Sequence, residues 1–258
     1  MAHYKAILAY DGNRYSGFQR QKKESGCITV QAVVETALAK IGWQDETILF
    51  AGRTDTGVHA SGQVIAFQLN WTHSLWELQS AINANLPADI AVLAVEYSDK
   101  DFHPRYQAVW RQYRYRIYYS PQRHPLYDRY AWRIWPAPDF QSLQNCALLL
   151  IGEHNFGSFG RSPKFEGSTI RNVFLASWSK WEDMDIQGLH FDIRANAFLY
   201  HMVRRIVAQM VRVGQGSMTI AEFEQALKNT GILSSHHLAP ARGLTLVKVY
   251  YGAYERIE

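Results

Sequence analysis

The sequence predicts an α+β fold, and three observations support this class. Apolar and polar residues alternate in several short runs, as in β-strands that bury one face. Between these runs lie segments whose apolar residues have helical spacing and follow an N-cap residue. Strand-like and helix-like segments occur in a similar order in both parts of the 258-residue chain, without a strict repeat. The pattern by itself predicts α+β, in one large domain or two smaller ones.

The first part of the chain begins with a strand that leads to a helix capped by Thr29. Two strands around a glycine-rich loop follow. A second helix opens with a capping box formed by Ser74 and Glu77, and it must end before Pro87. Residues 89–97 then have the pattern of a strand.

The second part repeats this mixture of elements. In chain order we expect a strand at 109–119, a helix capped by Asp139, strands at 169–178 and 189–195, a long helix at 197–213, a helix opened by the capping box of Thr219 and Glu222, and a closing strand at 244–251.

The composition is ordinary for a globular protein and slightly basic. There are 27 Lys and Arg residues against 23 Asp and Glu, a net charge of +4, which is compatible with a nucleic-acid ligand without requiring one. Cys27 and Cys146 form no CxxC pair, and His236 and His237 have no third ligand at a recognisable spacing, so we expect free thiols and no metal. The absence of a signal-peptide pattern and of a long apolar run indicates a cytoplasmic protein without a membrane span.

The most informative segment is the loop Ala51-Gly52-Arg53-Thr54-Asp55-Thr56-Gly57-Val58-His59, between the apolar runs 48–51 and 63–67. Loops held by rigid strands often carry chemistry, and Asp55 is a carboxylate with Arg53 beside it. A nearby guanidinium favours the charged carboxylate and also binds phosphate. Taken alone, the pattern is more typical of a turn aspartate that bonds its own backbone, and Arg53 could be an ordinary surface residue.

Two further segments have residues suited to an RNA ligand. Tyrosine and arginine alternate in the strand at 109–119, where Tyr113 could stack on a base or belong to the core. In the helix predicted at 197–213, Arg204 lies at the border between the apolar and the polar face. Leu244 opens the closing strand, where ordinary core packing is an alternative to ligand contact. The sequence has no Walker-type or GxGxxG phosphate loop.

The segment GRTDTGVHASGQV resembles the signature of the TruA family of tRNA pseudouridine synthases. Further matching segments stand in family order along the chain: Tyr10-Asp11-Gly12, Tyr15-Ser16-Gly17-Phe18-Gln19-Arg20, Asn83-Ala84-Asn85-Leu86-Pro87, Asp101-Phe102-His103-Pro104-Arg105, Arg111-Gln112-Tyr113-Arg114-Tyr115, Gly152-Glu153-His154-Asn155-Phe156, Ala195-Asn196-Ala197-Phe198-Leu199, His201-Met202-Val203-Arg204 and Gly243-Leu244. Departures are few: Phe18 replaces a more frequent Trp, and Gln112 replaces an Arg.

The resemblance implies a pseudouridine synthase fold of two α/β halves, residues 1–105 and 106–258, whose antiparallel sheets join around a central cleft. It implies isomerisation of uridines 38 to 40 in the anticodon stem-loop of tRNA by a homodimer that needs no cofactor. The residues that match the family site are the catalytic Asp55, its basic partner Arg53, the uracil-stacking Tyr113, the second arginine Arg204 and the pocket-lining Leu244.

Three alternatives remain open at this point. The protein could bind or fold RNA without catalysis, although a binder gains little from a carboxylate that faces phosphates. It could be a hydrolase that uses Asp55, although such enzymes normally have a paired acid or a metal cluster. It could also be a pseudouridine synthase with another RNA target, because site choice depends on RNA shape.

Overall fold

The computed structural model describes residues 1–21, 26–162, 166–228 and 237–252; His236 of the histidine pair lies outside them. Contacts divide the chain into a first unit, Met1–Val109 with the closing segment from Leu246, and a second unit, Trp110–Thr245. Each unit mixes helices with strands that pair mostly antiparallel, which confirms the predicted α+β class.

The order of elements agrees with the predicted order, with three short elements in addition (α3, β6 and β7). Along the chain they are β1 (Ala2–Tyr10), α1 (Val30–Ala39), β2 (Leu49–Phe50), β3 (His59–Leu69), α2 (Leu75–Asn85), β4 (Ile90–Tyr97), β5 (Trp110–Tyr119), α3 (Pro125–Asp128), β6 (Trp132–Ile134), α4 (Phe140–Leu148), β7 (Gly152–Asn155), β8 (Ile170–Asp183), β9 (Ile186–Ala195), α5 (Met202–Gly214), α6 (Ile220–Lys228) and β10 (Leu244–Tyr250).

In the first unit, β1 lies between β4 and β3 and pairs antiparallel with both. Tyr4 in β1 faces Phe67 on one side and Tyr97 on the other, and its ring contacts both. The short strand β2 pairs with the middle of β3, which places the chain between them at one end of this sheet. Because β3 is buried along most of its length, the loop that precedes it has a rigid base.

The helices of the first unit begin where their caps predict. The Thr29 hydroxyl accepts a bond from the Ala32 amide, and Ser74 and Glu77 form both bonds of a capping box. The last helical residue of α1 is Ala39. The chain then turns away through Gly42, whose φ of +97° is a conformation that glycine adopts readily.

In the second unit, β5, β9, β8 and β7 form an antiparallel sheet in that order, and β6 pairs parallel with β5. The helices α4 and α5 pack against each other and against β8 and β5 respectively, and α6 packs on β7. Asp139 caps α4, and Thr219 and Glu222 form the predicted capping box before α6. No helix in the described ranges is long and apolar enough to cross a membrane.

The long helix predicted at residues 197–213 begins later than expected. Asn196 bonds the amides of Ala197 and Asn172 through its side-chain oxygen, and Tyr200 forms a bridge with Arg161. His201 then adopts a left-handed conformation with φ of +64°. These contacts hold 196–201 as a loop, so α5 begins at Met202.

The hairpin of β8 and β9 is longer than the sequence pattern indicates. Pairing continues to Asp183 opposite Ile186, well beyond the predicted ends at 178 and 189. Met184 and Asp185 form its two-residue turn, with φ of +44° and +64°. Turns with two positive φ values usually contain Asn-Gly or Asp-Gly, so the pair Met184-Asp185 does not predict a hairpin turn.

Candidate active site

Asp55 lies in the loop between β2 and β3, as predicted. Its side chain is partly buried, whereas Arg53 two positions earlier is exposed. The Val58 amide donates to the Asp55 carbonyl at 3.1 Å, which closes a tight turn through Gly57 with φ of +77°. Arg53 and Asp55 both belong to the described residues, and no ion pair within 4 Å joins them. Arg53 is thus close to Asp55 in the sequence, and in the described part of the structure no ion pair joins their charged groups.

The residue before Asp55 is anchored from two directions. The Thr54 side chain is only 7% exposed, and its hydroxyl lies 2.8 Å from the hydroxyl of Tyr10 at the end of β1. The Thr54 carbonyl accepts a bond of 3.1 Å from the Phe18 amide. Both bonds are shielded from water, so they fix the backbone immediately next to the carboxylate.

The backbone of the segment after β1 is in direct contact with the backbone of this loop. Gly17 has φ of +84°, and a β-carbon added to it would lie 2.7 Å from the Thr54 carbonyl oxygen. A β-carbon on Gly12 would overlap the carbonyl of Val58. The Gly57 amide also donates to the Tyr15 carbonyl at 3.3 Å. The two glycines are therefore required for the close approach of the two segments.

Tyr15 fastens the same segment to the start of β4. Its hydroxyl donates a short bond of 2.6 Å to Asp89. Burial, followed by this bond and the negative charge of Asp89, raises the pKa of Tyr15 well above its usual range. The phenol thus stays protonated and keeps its role as a donor at every ordinary pH.

His59 opens β3 and is nearly fully buried. Its Nδ1 accepts a bond of 3.0 Å from the Gly12 amide and also lies 3.2 Å from Asp11. One nitrogen cannot accept from the first and donate to the second, and Asp11 already accepts from the Asn13 amide. We assign the bond to Gly12, so His59 holds the segment after β1 against the start of β3.

Gln63 supports the loop from β3 and was not singled out by the sequence. Its side chain is completely buried, and its amide nitrogen donates to the Gly52 carbonyl at 2.7 Å. Tyr10 was likewise recognised only as part of a sequence motif. A polar residue within the apolar run of β3 was the available signal for Gln63, because buried amides must find partners.

In the second unit, Tyr113 lies on β5 with its side chain 9% exposed. Its ring meets Phe198 edge to face, with centroids 4.9 Å apart and planes at 82°. This contact fixes the plane of the Tyr113 ring. Tyr115, two residues on and on the same face, is fully buried and belongs to the core.

Arg204 and Leu244 belong to this unit as well. The Arg204 Nε donates to the Ala239 carbonyl at 2.8 Å, and the Tyr115 hydroxyl donates to the next carbonyl, that of Pro240, at 2.7 Å. Burial raises the pKa of Tyr115, an effect that the positive charge of nearby Arg204 opposes. Leu244 is 6% exposed. Segment 239–240 thus ties α5 to β5.

The predicted residues therefore fall into two groups. Arg53 and Asp55 share one loop of the first unit, and Tyr113, Arg204 and Leu244 lie in the second unit. Within the described part of the chain, no group of three His, Cys, Asp or Glu side chains is arranged to hold a metal ion.

Comparison with known proteins agrees with the sequence resemblance. A family profile described as tRNA pseudouridine synthase matches residues 6–107 and 146–252. The chain is 37% identical to tRNA pseudouridine synthase A of Syntrophotalea carbinolica over 258 residues, which covers 100% of both chains. It is 36% identical to the protein of that name from Picosynechococcus, covering 95% of this chain and 87% of the relative, and 36% identical to that of Brevibacillus brevis, covering 97% and 100%. These matches extend over nearly the whole chain, and the chain belongs to the tRNA pseudouridine synthase family, whose members are isomerases.

Proposed function

We propose that this enzyme converts uridine to pseudouridine in the anticodon stem-loop of tRNA, at positions 38 to 40, with Asp55 as the nucleophile. The observation that carries the proposal is the setting of Asp55. It is a partly buried carboxylate; the backbone on both sides of it bonds Phe18 and Tyr15, and the Thr54 hydroxyl before it bonds Tyr10. A group held in this way can meet a reacting atom without reorganisation.

The reaction needs a nucleophile and little else. The bond between ribose C1′ and uracil N1 breaks, the base turns, and a bond forms between C1′ and C5. C5 then loses a proton and N1 gains one, so no atom is added and no electron is transferred. A carboxylate can hold one fragment during the turn by adding to C6 of the base or to C1′ of the ribose. The chemistry thus proceeds without a cofactor.

The second unit supplies the other proposed roles. Tyr113, fixed edge-on by Phe198, stacks on the uracil, and its oxygen, as the phenolate, accepts the C5 proton. Arg204 and the exposed Arg53 bind phosphates or the developing charge, and Leu244 lines the apolar side of the uracil pocket. The division of these roles between residues 1–105 and 106–258 stays a prediction, with the catalytic loop in the first half.

A uridine inside a stem is inaccessible, so the proposed mechanism includes flipping the base out of the helix. Binding then depends on phosphate contacts and RNA shape, and it weakens as salt increases. Since a net charge of +4 is modest for this task, we propose a cytoplasmic homodimer in which two chains contribute basic surface to one tRNA.

The test uses tRNA transcripts that carry C5-tritiated uridine at one position each. We expect tritium release from uridine at 38, 39 or 40 and none from a transcript labelled only in the T loop. Tritium release only from positions outside the anticodon arm would show that the enzyme modifies a different part of the tRNA. Free uracil among the products would instead indicate the hydrolase.

A further inference from the structure

A cluster of arginines surrounds the beginning of α5. The Tyr200 amide donates to the Arg161 carbonyl at 3.0 Å, and the two residues form an isolated antiparallel bridge. The Arg205 amide donates to the His201 carbonyl at 3.0 Å, which places Arg205 in the first turn of the helix. A β-carbon on Gly160 would lie 2.9 Å from the Tyr200 carbonyl oxygen, so a glycine lets the two backbones cross.

Two of these positive charges, Arg161 and Arg205, have no carboxylate partner in the described part of the chain. Among the residues that the structure describes, neither Arg161 nor Arg205 has an Asp or Glu oxygen within 4 Å. Burial lowers the pKa of Arg205, and the neighbouring charges of Arg161 and Arg204 lower it further. Arginine remains charged at neutral pH even so. The fold therefore holds like charges together, an arrangement that an anion would stabilise.

Tyr200 adds an aromatic surface beside these charges. Its ring stacks on the His201 ring, with centroids 3.7 Å apart and planes at 27°, and the residue is still 55% exposed. The left-handed backbone of His201 lies between the two stacked side chains, at the start of the helix. An exposed tyrosine stacked in this way is a pre-ordered platform, because little side-chain entropy remains to be lost when a base binds.

We propose that Arg161, Arg205 and Tyr200 form a nucleotide subsite next to the proposed uridine site. The two guanidinium groups bind a backbone phosphate, and the Tyr200 ring stacks on an unpaired base of the anticodon loop. A phosphate matches the donor geometry of arginine, and every base offers a face for stacking. Arg204, adjacent in the chain, is the proposed uridine-site arginine, so the subsite holds a nucleotide that neighbours the target. This inference rests on the proposed function for its RNA target.

The test measures binding of a radiolabelled anticodon-arm hairpin across a series of salt concentrations. Arg205→Gln should weaken binding and reduce the slope of log K against log salt by about 0.7 to 0.9, the value for one lost phosphate contact. Tyr200→Leu should weaken binding about five-fold or more with an unchanged slope, and Tyr200→Phe should bind as wild type does. Circular dichroism of each variant checks that it is folded.

Arg212→Gln is the matched control. It removes the same charge from the same helix, but Arg212 bonds Gln209 and the Ser217 carbonyl at the other end. Equal salt slopes for Arg205→Gln and Arg212→Gln would overturn the subsite, as would wild-type binding by Tyr200→Leu. Tritium release by wild type from the same hairpin is recorded in parallel. If release occurs while both variants bind normally, only the subsite fails; if wild type neither binds nor releases tritium, the proposed anticodon target fails as well.

Discussion

The hydroxyl groups of Tyr10 and Thr54 lie 2.8 Å apart in the interior of the first unit, although 44 positions separate them in the chain. Tyr10 ends β1, and Thr54 immediately precedes Asp55. This bond therefore links β1, which lies between β4 and β3, to the side chain of the residue next to the proposed nucleophile. The bond to Thr54 is thus a structural role for the tyrosine at position 10.

Removal of one of these hydroxyls should harm both stability and catalysis. Tyr10→Phe leaves the Thr54 hydroxyl buried without this partner, at a cost of about 1–3 kcal/mol in the free energy of unfolding. We expect kcat to fall about ten-fold because Asp55 is less well positioned. Urea unfolding and tritium-release kinetics measure the two effects.

The double variant Tyr10→Phe with Thr54→Val is the control for this prediction. It removes both hydroxyls and leaves neither unsatisfied, so stability should recover relative to Tyr10→Phe. Additive losses in the double variant would show that the two hydroxyls do not stabilise each other.

Gly17→Ala should directly disturb the loop that carries Asp55. The new methyl group would lie 2.7 Å from the Thr54 carbonyl oxygen, in addition to the strain of φ at +84°. Gly42→Ala has the same type of strain, with φ of +97°, but no atom within 4 Å of the added carbon. We expect Gly42→Ala to cost about 1–2 kcal/mol, Gly17→Ala to cost more, and only Gly17→Ala to lower kcat. Thermal unfolding and tritium-release kinetics of the two variants test this prediction. Equal losses of stability and of kcat in both variants would contradict the proposed clash.

His190 should make the second unit sensitive to mild acid. Burial, then the charges of Arg116 and Arg114, lower the pKa of His190 to about 4. Its Nε2 accepts a bond of 3.1 Å from Arg116 Nε, which a protonated ring cannot accept. The unfolded chain binds this proton below about pH 6.5 and the folded chain does not, so the free energy of unfolding should fall as pH drops from 6.5 towards 4.

The loss attributable to His190 should reach about 3 kcal/mol at most. His190→Gln keeps an acceptor for Arg116 without a titrating group, so its stability should depend less on pH over this range. Denaturant unfolding of both proteins at several pH values measures the difference. Parallel curves for wild type and variant would mean that His190 titrates alike in the folded and unfolded states.

Tyr113→Phe separates the two roles proposed for this ring. The variant keeps the stacking surface and the edge-to-face contact with Phe198 but loses the oxygen proposed to accept the C5 proton. We expect kcat to fall about 100-fold or more, with the Kd for tRNA changed less than about two-fold. Tyr113→Leu should also weaken binding, by about five-fold. A kcat for Tyr113→Phe within three-fold of wild type would assign the proton to another acceptor.

The helix starts could be predicted because their causes are local. Thr29, Ser74, Asp139 and the pair Thr219 and Glu222 each bond an amide within three residues. The start of α5 could not be predicted, because residues distant in the sequence hold the loop that precedes this helix. Arg161 and Asn172 pair with residues 196–200, which have a helical pattern of their own. Tertiary contacts override such local preferences.

The position of the site loop could also be predicted, from glycines between two apolar runs. The contacts that anchor the loop could not be predicted, since Tyr10 reaches Thr54 and Gln63 reaches the Gly52 carbonyl only in the folded chain. Arg53 is close to Asp55 in the sequence, but the structure shows an exposed residue without an ion pair to Asp55, so its role stays a prediction.

The central claim is that Asp55 is the nucleophile, and Asp55→Asn tests it most directly. The amide has the shape of the carboxylate but not its nucleophilicity, so the variant should bind tRNA like wild type. It should release no tritium above background from C5-labelled uridine in the anticodon arm. Asp99→Asn, which changes an exposed carboxylate of the same unit, should react like wild type. Tritium release by Asp55→Asn at the wild-type rate, from a preparation free of wild-type enzyme, would contradict the assignment.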